Sequence, residues 1–149
     1  MKILLVLFFG WISLVACHDK RPITSLQAAT GDSATMPVKR IGMITGIKPG
    51  MINYYKQLHA AVWPGVLQKI KECHISNYSI YLQQIDSNYY LFSYFEYKGA
   101  DFDQDMKKMA DDSLTRRWWK ETDPAQLPLQ KAKANNQVWT TMEEVFHSH

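Results

Sequence analysis

From Val38 to Lys48, Ile41, Met43, Thr45 and Ile47 interleave with Arg40, Gly42, Ile44 and Gly46, up to the turn signal Lys48-Pro49-Gly50. A period of two predicts a half-buried strand. The period then changes, because Met51, Tyr54, Tyr55, Leu58 and Val62 recur at spacings of three and four, the signature of one apolar helix face. Pro64 interrupts this helix: it has no N–H to bond back to Ala60, and it biases Trp63 away from helical geometry. The same proline suits the first turn of a second helix, which carries Val66, Leu67, Ile70 and Cys73. Ile75 to Gln83 and Tyr89 to Tyr97 are β-branched and aromatic runs separated by Asp86-Ser87-Asn88, and they predict an antiparallel hairpin. Asp101 has the character of an N-cap, with Gln104 three residues on and Phe102, Met106 and Met109 at helical spacing. Another helical segment starts near Ser113 and carries Arg116-Arg117-Trp118-Trp119. Beyond a loop holding Pro124 and Pro128, Gln137 to Phe146 alternates again and reads as the last strand.

The predicted order is strand, helix, strand, strand, helix, strand. That order is an α+β, ferredoxin-like split βαβ arrangement, an antiparallel sheet with helices on one face, of the dimeric α/β barrel type. The uncovered face needs a partner, and the aromatic load of the strands suggests a second sheet, so a homodimer is expected.

The first residues follow a different logic. Lys2 precedes an apolar run from Ile3 to Val15, too short for a membrane-spanning helix, which predicts a secretory signal peptide over residues 1–16. The run closes as Leu14-Val15-Ala16-Cys17, which resembles a bacterial lipobox, so lipidation of Cys17 and anchoring at a membrane surface in the periplasm or cell envelope are expected. Residues 17–36 are rich in Ser, Thr, Asp, Lys and Pro and read as a flexible tether, leaving residues 37–149 as one folded domain.

Composition narrows the function classes. The chain has 149 residues, enough for one domain with a sizeable core, and Cys73 is left alone once Cys17 is assigned to lipid. A single thiol makes no internal disulfide and reads as a small buried apolar group. Without Lys2 there are 16 basic against 14 acidic side chains, a balance that gives no footprint for nucleic acid. His18, His74, His147 and His149 lack zinc-ligand spacing, so neither a metal nor a cofactor is expected.

The candidate chemistry lies in Tyr55-Lys56-Gln57-Leu58-His59-Ala60-Ala61-Val62-Trp63-Pro64. On a helix, Tyr55, His59 and Trp63 are surface neighbours. His59 either caps carbonyl groups at the helix end or acts as a general acid or base, since imidazole titrates near neutrality. Trp118 and Trp119 are consecutive and point about 100° apart on a helix, so they do not fill one core site; either is a core or interface ring, or a platform for the C–H face of a sugar. Tyr78 in Asn77-Tyr78-Ser79-Ile80-Tyr81 is either a packing residue or a hydroxyl facing the site.

Taken in order, Tyr55 with His59, Trp63-Pro64, Asn77-Tyr78-Ser79-Ile80-Tyr81, Arg117-Trp118-Trp119-Lys120 and Glu143-Glu144-Val145-Phe146 resemble the L-rhamnose mutarotase family, from about Lys39 to Phe146. The resemblance implies a dimeric ferredoxin-like enzyme that needs no cofactor. It implies His59 as the proton donor, and Tyr55, Tyr78, Trp118 and Trp119 as the residues that bind the monosaccharide. Family members often carry Asn-Pro after the histidine, where this chain has Ala60-Ala61. The implied reaction interconverts the α and β anomers of L-rhamnose or a related 6-deoxyhexose, with His59 acting as acid toward the ring oxygen. The alternatives are a sugar-binding lipoprotein without turnover, and a haem or quinone-type oxygenase on the same architecture with His59 as axial ligand.

Overall fold

A computed structural model describes residues 37–148; the expected signal peptide, lipidation at Cys17 and tether fall outside the described residues. The chain forms β1 (Lys39–Ile47), α1 (Ile52–Ala60), α2 (Pro64–Glu72), β2 (Ile75–Ile85), β3 (Asn88–Tyr97), α3 (Phe102–Asp111), α4 (Ser113–Thr122), β4 (Gln126–Leu127), α5 (Gln130–Ala134) and β5 (Thr140–Thr141). The sheet runs β2-β3-β1, with β4 and β5 both on the remaining edge of β1, and every pairing is antiparallel. The expected ferredoxin-like α+β fold is therefore present.

Alternation in β1 separates the two faces as its sequence requires. Ile41, Thr45 and Ile47 are buried, opposite Phe95, Leu91 and Tyr89 of β3. Helices cover this side: Ile70 of α2 and Phe102, Met106 and Met109 of α3 pack on Ile41, Ile75, Phe95 and Tyr97. Tyr55 and Ile52 of α1 pack with Ile47, Leu91 and Ala125 in a second cluster. On the opposite side, Tyr81, Phe92 and Ile44 stand in register across β2, β3 and β1, and Tyr81 is 62% exposed.

Local chemistry sets the element ends. The β2–β3 connection is shorter than the sequence suggested, with only Asp86 and Ser87 between the strands; Asp86 takes φ 52°, a conformation that Asp tolerates. Asp101 Oδ1 accepts the Gln104 N–H at 3.0 Å and Asp112 Oδ2 accepts the Thr115 N–H at 2.7 Å. Each such cap is worth about 1 kcal/mol. At the far end of the sheet from α1, buried Asp105 accepts hydrogen bonds from Lys108 Nζ, Tyr97 Oη and His74 Nδ1, each at 2.8 Å. These donors hold its carboxyl well below the usual carboxylate range, Lys108 most strongly, and they tie α3 to β3 and to the start of β2. Cys73 is buried as expected and unpaired.

The last strand differs from the sequence reading. Gln137 to Phe146 does not form one strand, because two short pieces divide the edge of β1: β4 pairs with Gly46 and Ile47, and β5 with Met43 and Ile44. Gly46 permits the first approach, since a β-carbon there would lie 2.8 Å from the Leu127 carbonyl oxygen. The loop that carries Pro124 and Pro128 thus supplies a strand and leads into α5, neither of which alternation announced. Glu143-Glu144-Val145-Phe146 lies beyond β5 in no ladder. Arg40 Nε donates to Glu144 Oε1 at 2.7 Å, while Val145 and Phe146 are 92% and 81% exposed.

Candidate active site

The end of α1 builds the site. Ala61 N–H bonds to the Leu58 carbonyl at 3.2 Å, Trp63 is extended at φ −59°, ψ 131°, and α2 opens on Pro64, so the chain breaks where the proline predicts. His59 is the penultimate residue of α1, and its Nδ1–H donates to the Tyr55 carbonyl at 2.9 Å. The capping role and the acid–base role are therefore compatible. With Nδ1 carrying the hydrogen, the neutral ring leaves the Nε2 lone pair to accept a proton.

Aromatic rings wall the imidazole. Tyr55 stacks on it with centroids 4.1 Å apart and planes at 27°, and Trp118 meets it edge-on at 5.4 Å. Trp63 in turn meets Trp118 edge-on at 5.4 Å, and the Arg117 guanidinium lies 5.8 Å from the Trp63 ring centre. Burial lowers the His59 pKa, while its bond to the Tyr55 carbonyl opposes that shift; the net direction is down, which keeps the ring neutral at neutral pH.

Tyr55 is 5% exposed, and burial pushes its phenol up. The charged forms of Tyr78 and Asp123 add to that effect, and the hydrogen bond that Gln126 Nε2 donates to Tyr55 Oη at 3.3 Å opposes it. The group remains a phenol, a donor rather than an anion. Tyr78 reaches the same region through a β-bulge between Ser76 and Ser79, where Asn77 takes φ 50° and donates from Nδ2 to Glu96 Oε1 at 3.0 Å. The extra residue keeps Tyr78 on the helix side, edge-on to Phe95 at 5.5 Å. Tyr78 is 41% exposed as a whole, and desolvation of its phenol pushes its pKa up to about 12.

Of the residues singled out from sequence, His59, Tyr55 and Trp118 form one contact cluster, and Tyr78 lies near enough for its charged form to raise the Tyr55 pKa. Trp118 is 6% exposed, whereas Trp119 is half-buried and no ring contact among the described residues joins it to the cluster. Trp63 belongs to the wall, and Ala60 and Ala61 are exposed. Asp123 and Gln126 escaped the sequence reading. Asp123 offered only an Asp-Pro turn as signal, and Gln126 offered none, since its place depends on pairing with Ile47. Two surface depressions elsewhere, one beside Gly46 and Tyr90 and one beside Arg40 and Glu96, touch none of these residues. No cluster of three or more His, Cys, Asp or Glu suited to a metal ion occurs among the described residues.

Fold and site together define a ferredoxin-like α+β protein that sets one neutral imidazole among phenols and indoles. Comparison with known proteins gives the family. The L-rhamnose mutarotase family model matches residues 40–148. L-rhamnose mutarotases of Oceanobacillus iheyensis and Listeria monocytogenes are 30% and 31% identical to the chain, each alignment covering 74% of it and 98% of the relative. A crystal structure of an L-rhamnose mutarotase from Formosa agariphila shares the fold, with TM-score 0.56 and 24% identity over 74% of this chain and 99% of that one. The chain belongs to the L-rhamnose mutarotase family, and these matches give no support to the oxygenase alternative.

Proposed function

We propose that the protein interconverts the α and β anomers of L-rhamnose, with His59 moving the proton. The observation that carries this reading is the His59 ring, with Nδ1–H tied to the Tyr55 carbonyl and Nε2 left as the basic atom. Nε2 takes the proton of the anomeric hydroxyl; the C1–O5 bond breaks, C1 becomes an aldehyde, and the imidazolium returns the proton to O5. Rotation about C1–C2 presents the other face of the aldehyde, and the reverse sequence closes the ring as the opposite anomer. A neutral imidazole thus enters as base and becomes the acid toward the ring oxygen. Tyr55 and Tyr78 supply hydroxyl contacts, and an indole offers a face to the sugar's C–H edge.

Saturation-transfer NMR on L-rhamnose tests the reading; an exchange rate unchanged by added protein overturns it. The rate is expected to rise with pH as His59 loses its proton and to level off by neutrality, because protonated Nε2 accepts nothing. The depressed His59 pKa places the midpoint of that limb below the ordinary imidazole value of about 6.5. A midpoint above that value is incompatible with His59 as the entering base.

The active form is a homodimer joined through the helix-free sheet face. Support comes from the register of Tyr81, Phe92 and Ile44 across three strands and from the exposed Val145 and Phe146 nearby in sequence to the β5 edge. Phe92→Glu places a charge in the middle of this row and is expected to yield monomers by light scattering. Monomeric wild-type protein, or a variant that stays dimeric, rejects this interface.

A further inference from the structure

Gln126 lies outside the residues that the sequence motifs assign to the site. In β4 it pairs with Ile47, so its side chain shares the helix-covered face of the sheet, beneath α1. It is 5% exposed, and its Nε2 donates to Tyr55 Oη. Its other amide atom, Oε1, is buried with no hydrogen-bond partner. Two residues from Ile47 on the same face, the buried Thr45 hydroxyl is also unmatched. A buried acceptor without a partner is a standing penalty, and a donor that arrives with a ligand removes it.

The Tyr55 hydroxyl has one lone-pair side occupied by the amide hydrogen of Gln126, and no hydrogen bond from Tyr55 Oη to an acceptor occurs among the described residues. The O–H is thereby aimed away from Gln126. We infer that Gln126 and Tyr55 form a paired sugar-binding device, in which Gln126 Oε1 accepts a sugar hydroxyl hydrogen while its Nε2 directs the Tyr55 O–H toward a sugar oxygen. This rests on the anomer-exchange reading for the identity of the sugar. The device distinguishes a hydroxyl-bearing ring from one lacking that group, since a missing donor leaves Oε1 unmatched.

The test is a double-mutant cycle on the full chain with Tyr55→Phe and Gln126→Met, reading kcat and KM for anomer exchange. Gln126→Met alone is expected to lower kcat/KM about tenfold, and to cost clearly less in the Tyr55→Phe background, where only the Oε1 contact is left to lose. Additive effects, or full activity in Gln126→Met, overturn the inference. Gln126→Glu supplies a second readout that a merely structural role would not move. Its carboxylate accepts the Tyr55 hydrogen that otherwise serves the sugar, whereas its protonated form restores a donor to Tyr55 Oη. The wild-type plateau is then expected to become a bell, with activity falling again as pH rises. The titratable groups that bear on this position are Tyr55 and His59 of α1, Tyr78 of β2 and Asp123 of the preceding turn. A Gln126→Glu profile that is only a scaled copy of the wild type counts against the device. Wild-type exchange is measured in the same series, and its absence overturns the proposed function separately. In that case methyl α-L-rhamnopyranoside, which does not ring-open, decides Gln126 by NMR titration: about tenfold weaker binding in Gln126→Met supports the inference, and unchanged or undetectable wild-type binding overturns it.

Discussion

His59→Ala is expected to slow anomer exchange by about 10²–10⁴-fold, the range over which a positioned acid–base group acts, with the fold retained. Retention follows from where the ring sits. His59 is half-buried at the penultimate position of α1, and its one side-chain hydrogen bond goes to the Tyr55 carbonyl, an acceptor that the helix ladder already serves. Alanine is the best helix former, so α1 does not lose its end. Saturation-transfer NMR gives the rate and far-ultraviolet circular dichroism reports the fold. Sugar binding should survive, because Tyr55, Tyr78, Gln126 and the indoles remain in place. A folded variant within a few-fold of the wild-type rate would remove the imidazole from the mechanism; wild-type protein that binds the sugar without accelerating exchange would make the chain a binder.

The two tryptophans should separate by what each loses. Trp118→Ala deletes a ring that is 6% exposed and that supports both His59 and Trp63 edge-on. Truncation of a buried aromatic of this size costs about 3–5 kcal/mol. Urea unfolding is therefore expected to show a large fall in midpoint, and the exchange rate should fall as well, since the His59 wall goes with the ring. Trp119 is half-buried and touches none of those rings, so Trp119→Ala should leave the urea midpoint close to that of the wild type and weaken binding of methyl α-L-rhamnopyranoside. Equal destabilisation by both substitutions would show that Trp119 is a packing residue and would leave the sugar face to another ring.

Much of the fold was legible because it is written at short range. A period of two in Ile41, Met43, Thr45 and Ile47, the proline after Trp63, and Asp101 ahead of a helix each act within a few residues. The same holds for the line Tyr55–His59, which needs only helical spacing. The tail was misread for the opposite reason. Alternation in Gln137 to Phe146 states which residues share a side, yet pairing requires a free strand edge, and β4 already holds Gly46 and Ile47. The burial difference between Trp118 and Trp119 was equally hidden: 100° of separation says that they diverge, while α1 and α2 decide which of them is covered.

The sequence by itself determined the order of elements from β1 to α4, the break at Pro64 and a histidine one turn beyond a tyrosine, since backbone sterics and helical periodicity are local properties. Only the tertiary structure decided that Trp118 walls the His59 ring, that Tyr78 is turned inward by a bulge, and that Gln126 meets Tyr55 from 71 positions away. Those outcomes depend on which polar groups become buried together. Burial is a property of the packed whole, and it fixes hydrogen-bond partners and proton affinities that no segment sets alone.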